Sequence, residues 1–223
     1  MASEDDEINE LEAKMERLRG LKRSYTGDFL GIAVDALASA EKASALSEYA
    51  SGLVQASQNP AEEDHFVNLL VQSRLMRQHV ATAVVFSALC VESAINFALD
   101  AKLSKFYITG LDKLDVPTKW VVVLKLAYEH PLEPSDMLVC RIKALAKSRN
   151  ELVHAKPRTL VDNDLKVVKD ASLSVDAARD AVSTARDAIA YLKGIDPHLS
   201  EWATMTSEWD TYGSVEKPIN DSA

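Results

Sequence analysis

Seven glycines and seven prolines in 223 residues leave few sites for the tight turns and bends of a β-rich fold. An abundance of Ala, Leu, Lys and Glu points to helices instead. Cysteine is almost as scarce. Cys90 and Cys140 both lie among apolar residues, so two buried thiols in a reducing compartment are expected rather than a disulfide-stapled fold. Long hydrophobic runs are short as well: the longest is interrupted by Ser87 and Glu92, and no membrane-spanning stretch is expected. The opening Ser3-Glu4-Asp5-Asp6-Glu7 is acidic where a secretory leader needs cations, which makes the cytoplasm the expected location. Positive charge is in deficit, with a formal net charge of −9, and this argues against broad, nonspecific affinity for nucleic acid. The chain has no Gly-rich phosphate loop, no G-x-S-x-G elbow and no His-x-x-x-His or Cys-x-x-Cys spacing. No metal site and no cofactor are therefore expected. Asp162-Asn163-Asp164 lacks the glycine and distal Glu of a calcium loop.

What is present reads as a series of amphipathic helices. The expected organisation is an N-terminal charged helix over 1–20, a helical domain over 21–195, and a short aromatic helix with its tail over 196–223. Ile8, Leu11, Met15 and Leu18 form a narrow heptad seam suited to a partner helix, ended by Gly20. An Ala-rich helix is predicted from about Asp28 to Gln58, before Asn59-Pro60. The next, to about Lys105, is the apolar heart of the chain. Val80, Val84, Ala88, Val91, Ile95, Leu99 and Leu103 make its stripe, which Phe86, Leu89 and Phe97 widen. Gly110 and Leu111-Asp-Lys-Leu-Asp115 read as a turn. Thr118–Tyr128 reads as a short helix, although its three consecutive valines suit a buried strand equally well. Ser135 is a plausible N-cap for a helix that ends near Ala155, ahead of Pro157. A second Ala-rich helix follows over about 172–193, closed by Gly194. Last, Asp196-Pro197 reads as a cap, after which Trp202, Met205, Trp209 and Tyr212 recur at helical spacing. Such a stripe docks on its own core or on a second copy.

One hexapeptide breaks the burial pattern. Leu138, Ile142, Leu145, Arg149 and Leu152 follow one another at alternating steps of four and three, so Arg149 takes a slot meant for a hydrophobe. A cation in an apolar seam is costly unless it is paired or faces a wet cleft. Glu92, on the apolar helix and one turn from Asn96, is one source of pairing; exposure of Glu92 at the bundle end is the other reading. Between Arg141 and Arg158, Arg141, Lys143, Lys147, Arg149, Lys156 and Arg158 face Glu151 alone. That makes either a patch for a small anionic target or a solvated helix face with cations favoured near its C-terminal end. His154, five residues after Arg149, supplies a group that titrates near neutrality. Metal-free RNA cleavage needs a base for the 2′-hydroxyl, an acid for the 5′-oxygen and a cation for the phosphorane, and His and Arg supply these chemistries. Asn150, on the same face as His154, could orient the imidazole or contact phosphate. The alternative is a structural Arg149 paired with Glu92 and a surface His154.

The run Lys147-Ser-Arg149-Asn150-Glu-Leu-Val-His154 resembles the signature of HEPN domains, an Arg followed four to six residues later by His, with Asn after the Arg as its commonest form. Ser87-Ala-Leu-Cys-Val-Glu92-Ser-Ala-Ile-Asn96-Phe resembles the family's second-helix pattern with an acidic residue, and Thr118-Lys-Trp also agrees. The likeness covers about Asp28 to Gly194. It implies an all-α, up-and-down helical bundle that often dimerises, commonly a metal-independent endoribonuclease of toxin–antitoxin or anti-phage systems. By position it implies Arg149 and His154 as catalytic, with Asn150 and Glu92 as supporting; Lys143, Lys147, Lys156 and Arg158, from the local patch of cations, are the expected phosphate or RNA contacts. The implied partners are RNA, a second copy with the Arg–His motifs facing, and a cognate antitoxin. Some members lack nuclease activity and bind a nucleotide or a protein partner.

Overall fold

The computed structural model describes residues 25–56, 63–154 and 173–196, with six α-helices and no strand among them. In chain order these are α1 (Thr26–Ala56), α2 (Glu63–Lys102), α3 (Lys105–Leu111), α4 (Val116–Tyr128), α5 (Met137–Val153) and α6 (Val175–Ile195). The expected N-terminal seam (Ile8 to Leu18), Lys156, Arg158, Asp162–Asp164 and the aromatic stripe from Trp202 to Tyr212 lie outside the described residues.

Local signals set most helix boundaries. Asp115 caps α4: its Oδ1 accepts the Thr118 backbone N–H at 2.8 Å, and proline occupies the first turn. The helix therefore starts at Val116, earlier than Thr118. It ends at Glu129, whose φ of 52° is the left-handed geometry of a C-terminal cap. The valine run is helical. Ser174 caps α6 by accepting from Ala177 N–H at 3.1 Å. Gly194 lies inside α6, which runs on to Ile195 and is capped by Asp196. The cap of α5 is Asp136, not Ser135, and its Oδ2 accepts from Glu133 N–H at 2.8 Å to organise the turn that precedes the helix. The expected turn around Gly110 is in fact α3, a helix with no buried residue.

Packing centres on α2, which touches all five other helices. Val80, Val84, Val91, Ile95 and Leu99 are buried as expected, whereas Ala88 is half-buried. A second line, Ala83, Ser87, Cys90, Ala94 and Ala98, is buried alongside them, so α2 is covered over a broad arc. Toward its C-terminal half the neighbours are large: Trp120, Val123 and Leu124 of α4, Ile142 and Leu145 of α5, and Ile189 and Leu192 of α6. Trp120 is fully buried, and its Nε1 donates to the Val91 carbonyl at 3.3 Å. Toward the other half, Ala33, Ala36 and Ala40 of α1 meet Val80, Ala83, Ala178 and Val182. Small residues there let three helices approach closely. By length and composition, Val67–Lys102 is apolar enough to cross a membrane, contrary to the expectation that Ser87 and Glu92 break the run. In this fold the same helix is the core of the bundle.

The two cysteines separate. Cys90 is buried, and burial pushes its thiol up to about 12. Cys140 is exposed, contrary to expectation: Val139 and Ile142 take the inner face of α5 and turn position 140 outward. Because the thiolate is the nucleophile, folded protein should take up iodoacetamide at Cys140 and leave Cys90 unmodified until denaturant is added. Mass spectrometry of the labelled peptides checks this, and rapid labelling of Cys90 in the native state would contradict the fold.

Candidate functional site

The last two turns of α5 carry the Arg–His hexapeptide to a strip of chain that enters α4. Val139, Ile142 and Leu145 are the buried residues of α5. Of the seam read in the sequence, Ile142 and Leu145 are buried, Leu138 and Leu152 pack half-buried on the core, and Arg149 sits half-buried at its edge. Its Nη1 donates to Asn150 Oδ1 at 3.0 Å. His154 caps the helix: its backbone N–H donates to the Asn150 carbonyl at 3.0 Å, and its side chain is exposed.

Two adjoining cavities flank this end of α5. The smaller, about 240 Å³, is lined by Glu92 of α2, Arg149 and Asn150 of α5, and Leu114–Pro117 ahead of and within α4. The larger, about 800 Å³, is lined by Lys143, Lys147, Asn150, Glu151 and His154 over Pro117, Val121, Pro134 and Val139. Asp115, Pro117, Ala146 and Asn150 line both. The structure thus brings together Arg149, Asn150, His154, Glu92, Lys143 and Lys147. Glu92 and Arg149 face one cavity, yet no ion pair joins them among the described residues. The pairing that would have made Arg149 purely structural is absent there.

Two features were not anticipated. Asp115, the N-cap of α4, contributes a carboxylate to both cavities; an Asp two residues before Pro117 was the available signal. The positive patch is also diluted. Arg141 turns away to pair with Asp187 of α6 and donates to Ser183 Oγ at 3.0 Å. Lys147 lies 4.0 Å from Glu151. Across both cavities, Lys143, Lys147 and Arg149 are balanced by Glu92, Asp115 and Glu151. An anion held here would depend on directed hydrogen bonds more than on a net positive field. No group of three His, Cys, Asp or Glu able to hold a metal ion occurs among the described residues.

Among the described residues, the cation that is buried is Lys119, 3% exposed. Its Nζ donates to Asn96 Oδ1 at 2.9 Å and lies 3.5 Å from Asp112 Oδ1. These bonds tie α4 to α2 and to the end of α3, on either side of the Leu114–Pro117 strip, whose Asp115 and Pro117 line both cavities. Lys119→Met should cost about 1–3 kcal/mol by leaving the Asn96 oxygen without a donor. The double variant Lys119→Met/Asn96→Leu should recover most of that loss. Urea midpoints at unchanged slope measure both effects, and a single variant as stable as wild type would remove the network from the account. No family model, curated protein or solved structure matches this chain.

Proposed function

We propose that the chain is a HEPN-like, metal-independent endoribonuclease working in a toxin–antitoxin or anti-phage setting in the cytoplasm. One observation carries the reading: Asn150 lines both cavities, with Arg149 in one and His154 in the other. A phosphodiester lying across that shared wall would meet a guanidinium on one side and an imidazole on the other.

The chemistry follows from what each group can do. Neutral His154 accepts the proton of the ribose 2′-hydroxyl as its oxygen attacks phosphorus. The 2′-O–P bond forms, the P–O5′ bond breaks, and the products are a 2′,3′-cyclic phosphate and a 5′-hydroxyl. Arg149 holds the phosphorane oxygens through its planar fork, and the Asn150 oxygen that accepts from Nη1 orients the guanidinium. Glu92, across the smaller cavity, adds electrostatic restraint on Arg149. Lys143 and Lys147 line the larger cavity where flanking phosphates would run, over an apolar floor suited to a base. The 5′-oxygen needs a proton, and one histidine per site is a thin supply. A homodimer with the two motifs facing would provide it from His154 of a second copy. A cognate antitoxin covering this end of α5 would silence the site.

A second reading, a catalytically silent module that binds a nucleotide or a protein partner, is favoured by the carboxylates Glu92, Asp115 and Glu151, which offset the cations on the cavity walls. Cleavage of bulk RNA in EDTA separates the two. Wild type should cut and leave cyclic-phosphate ends, while His154→Ala and Arg149→Ala should each lose activity by at least about 100-fold. Equal inactivity of all three at high protein concentration would support the silent module. For either reading, Lys143→Ala should lower the slope of log affinity for RNA against log salt by about one if it contacts a phosphate. Fluorescence anisotropy over a salt series reads that slope.

A further inference from the structure

The larger cavity beside α5 holds about 800 Å³, the size of a site for a small organic ligand. Its floor is aliphatic, from Pro117, Val121, Pro134 and Val139, and a flat ring can lie on such a surface with its polar edge toward the walls. Two kinds of charge stand around that floor. Lys143 and Lys147 are exposed and four residues apart, on one face of α5. Asp115 comes from the other wall, at the start of α4. The lysines suit phosphate. A carboxylate beside them opposes a bare phosphate and suits a ligand that also carries N–H donors.

Asp115 is held in place. Its Oδ1 accepts the Thr118 backbone N–H at 2.8 Å as the cap of α4, and Pro117 restricts the backbone of the same turn. Lys119, in that turn too, anchors it to α2 through Asn96 Oδ1 at 2.9 Å. Among the described residues no cation pairs with Asp115. A carboxylate offers about four lone-pair sites, so the cap bond leaves Oδ2 and part of Oδ1 for a ligand. The second carboxylate of this cavity, Glu151, has Lys147 at 4.0 Å. Asp115 is therefore the acceptor that is both fixed and unpaired, and a fixed acceptor is what selectivity requires.

We propose that the larger cavity is a guanine subsite, in which the base lies on the aliphatic floor and Asp115 accepts from its N1–H and its N2 amine. Among the four RNA bases, guanine alone sets two adjacent N–H donors on its pairing edge, and one carboxylate matches both. Adenine and cytosine place a ring-nitrogen lone pair beside their amine, and uracil flanks its single N–H with two carbonyl oxygens. Each of these sets an acceptor against the carboxylate, which leaves polar groups unmatched on both sides. Lys143 and Lys147 take the phosphates on either side of the selected nucleotide. His154 lines the same cavity, so a seated guanine fixes which phosphodiester lies near the imidazole. The inference rests on the reading of this site as one that handles RNA, and names the nucleotide it selects.

Binding of single nucleotides to the full-length chain tests this without calling on cleavage. In isothermal titration with GMP, AMP, CMP and UMP, GMP should bind tightest, by about tenfold or more. IMP, which lacks the N2 amine, should fall toward AMP. Asp115→Asn keeps the helix cap, because Asn caps as well as Asp. It should erase the GMP preference with an unchanged circular dichroism spectrum. Lys143→Ala/Lys147→Ala should weaken all four nucleotides alike. Equal affinity for the four, a GMP preference that survives in Asp115→Asn, or no GMP binding at millimolar concentration would each overturn the proposal. Binding of hexa-arginine and of no nucleotide would assign Asp115 to a basic protein segment and overturn it too. The nuclease reading fails separately. A GMP preference in a chain that cuts no RNA keeps the subsite and removes the nuclease, whereas cleavage in EDTA that ignores guanine does the reverse.

Discussion

A helix that is apolar over most of its circumference can be buried only if its neighbours supply complementary surface on several sides. α2 imposes this condition on the bundle. Between Val80 and Leu99 it hides two parallel lines of side chains, one of larger aliphatics and one of small residues. Burying each of the larger ones contributes about 1.5–3 kcal/mol. Where the neighbours are alanines, α1 and α6 approach closely; where α2 meets Trp120, Ile142 and Leu192, the space is filled by bulk. The position of α5, and with it the Arg–His hexapeptide, follows from burying Val139, Ile142 and Leu145 against this helix. The site is a consequence of the core.

The same constraint decides which cation goes inside. Buried charge is tolerated when hydrogen-bond acceptors converge on it. Lys119 has Asn96 and Asp112. Arg149, at the edge of the α5 face, has the Asn150 amide oxygen and an open cavity instead. A guanidinium that is half-exposed and engaged by a neutral oxygen keeps its positive charge available to an incoming anion. One that was locked to Glu92 would not, and no such pair occurs among the described residues. Its surroundings also restrain it. With Glu92, Asp115 and Glu151 on the cavity walls, the positive charge of Lys143, Lys147 and Arg149 is offset locally, in keeping with a chain of net charge −9.

Much of the fold was legible from residue order. The stripe on α2, the short helix before the prolines, the helix bearing the hexapeptide and the Ala-rich α6 all stand where the pattern placed them, with boundaries displaced by a few residues. The displacements have local causes: Asp115 caps α4 ahead of Thr118, and Asp136 organises the turn before α5 in place of Ser135. α3 escaped notice because its lone glycine and the Asp-rich stretch after it read as a turn, and because it buries no side chain whose periodicity could betray it.

Sequence by itself determined the helical class, the central role of α2 and the co-location of Arg149, Asn150 and His154 on one helix end, because each depends on periodicity or on spacing within a single element. Tertiary structure alone decided that Cys140 faces water, that Lys119 rather than Arg149 is the interior cation, that Arg141 turns to Asp187, and that Asp115 enters both cavities. Each of these depends on which residues of other helices arrive at a given face. Arrival is set by the angle and depth at which α1, α4, α5 and α6 pack on α2, and no local spacing along the chain encodes it.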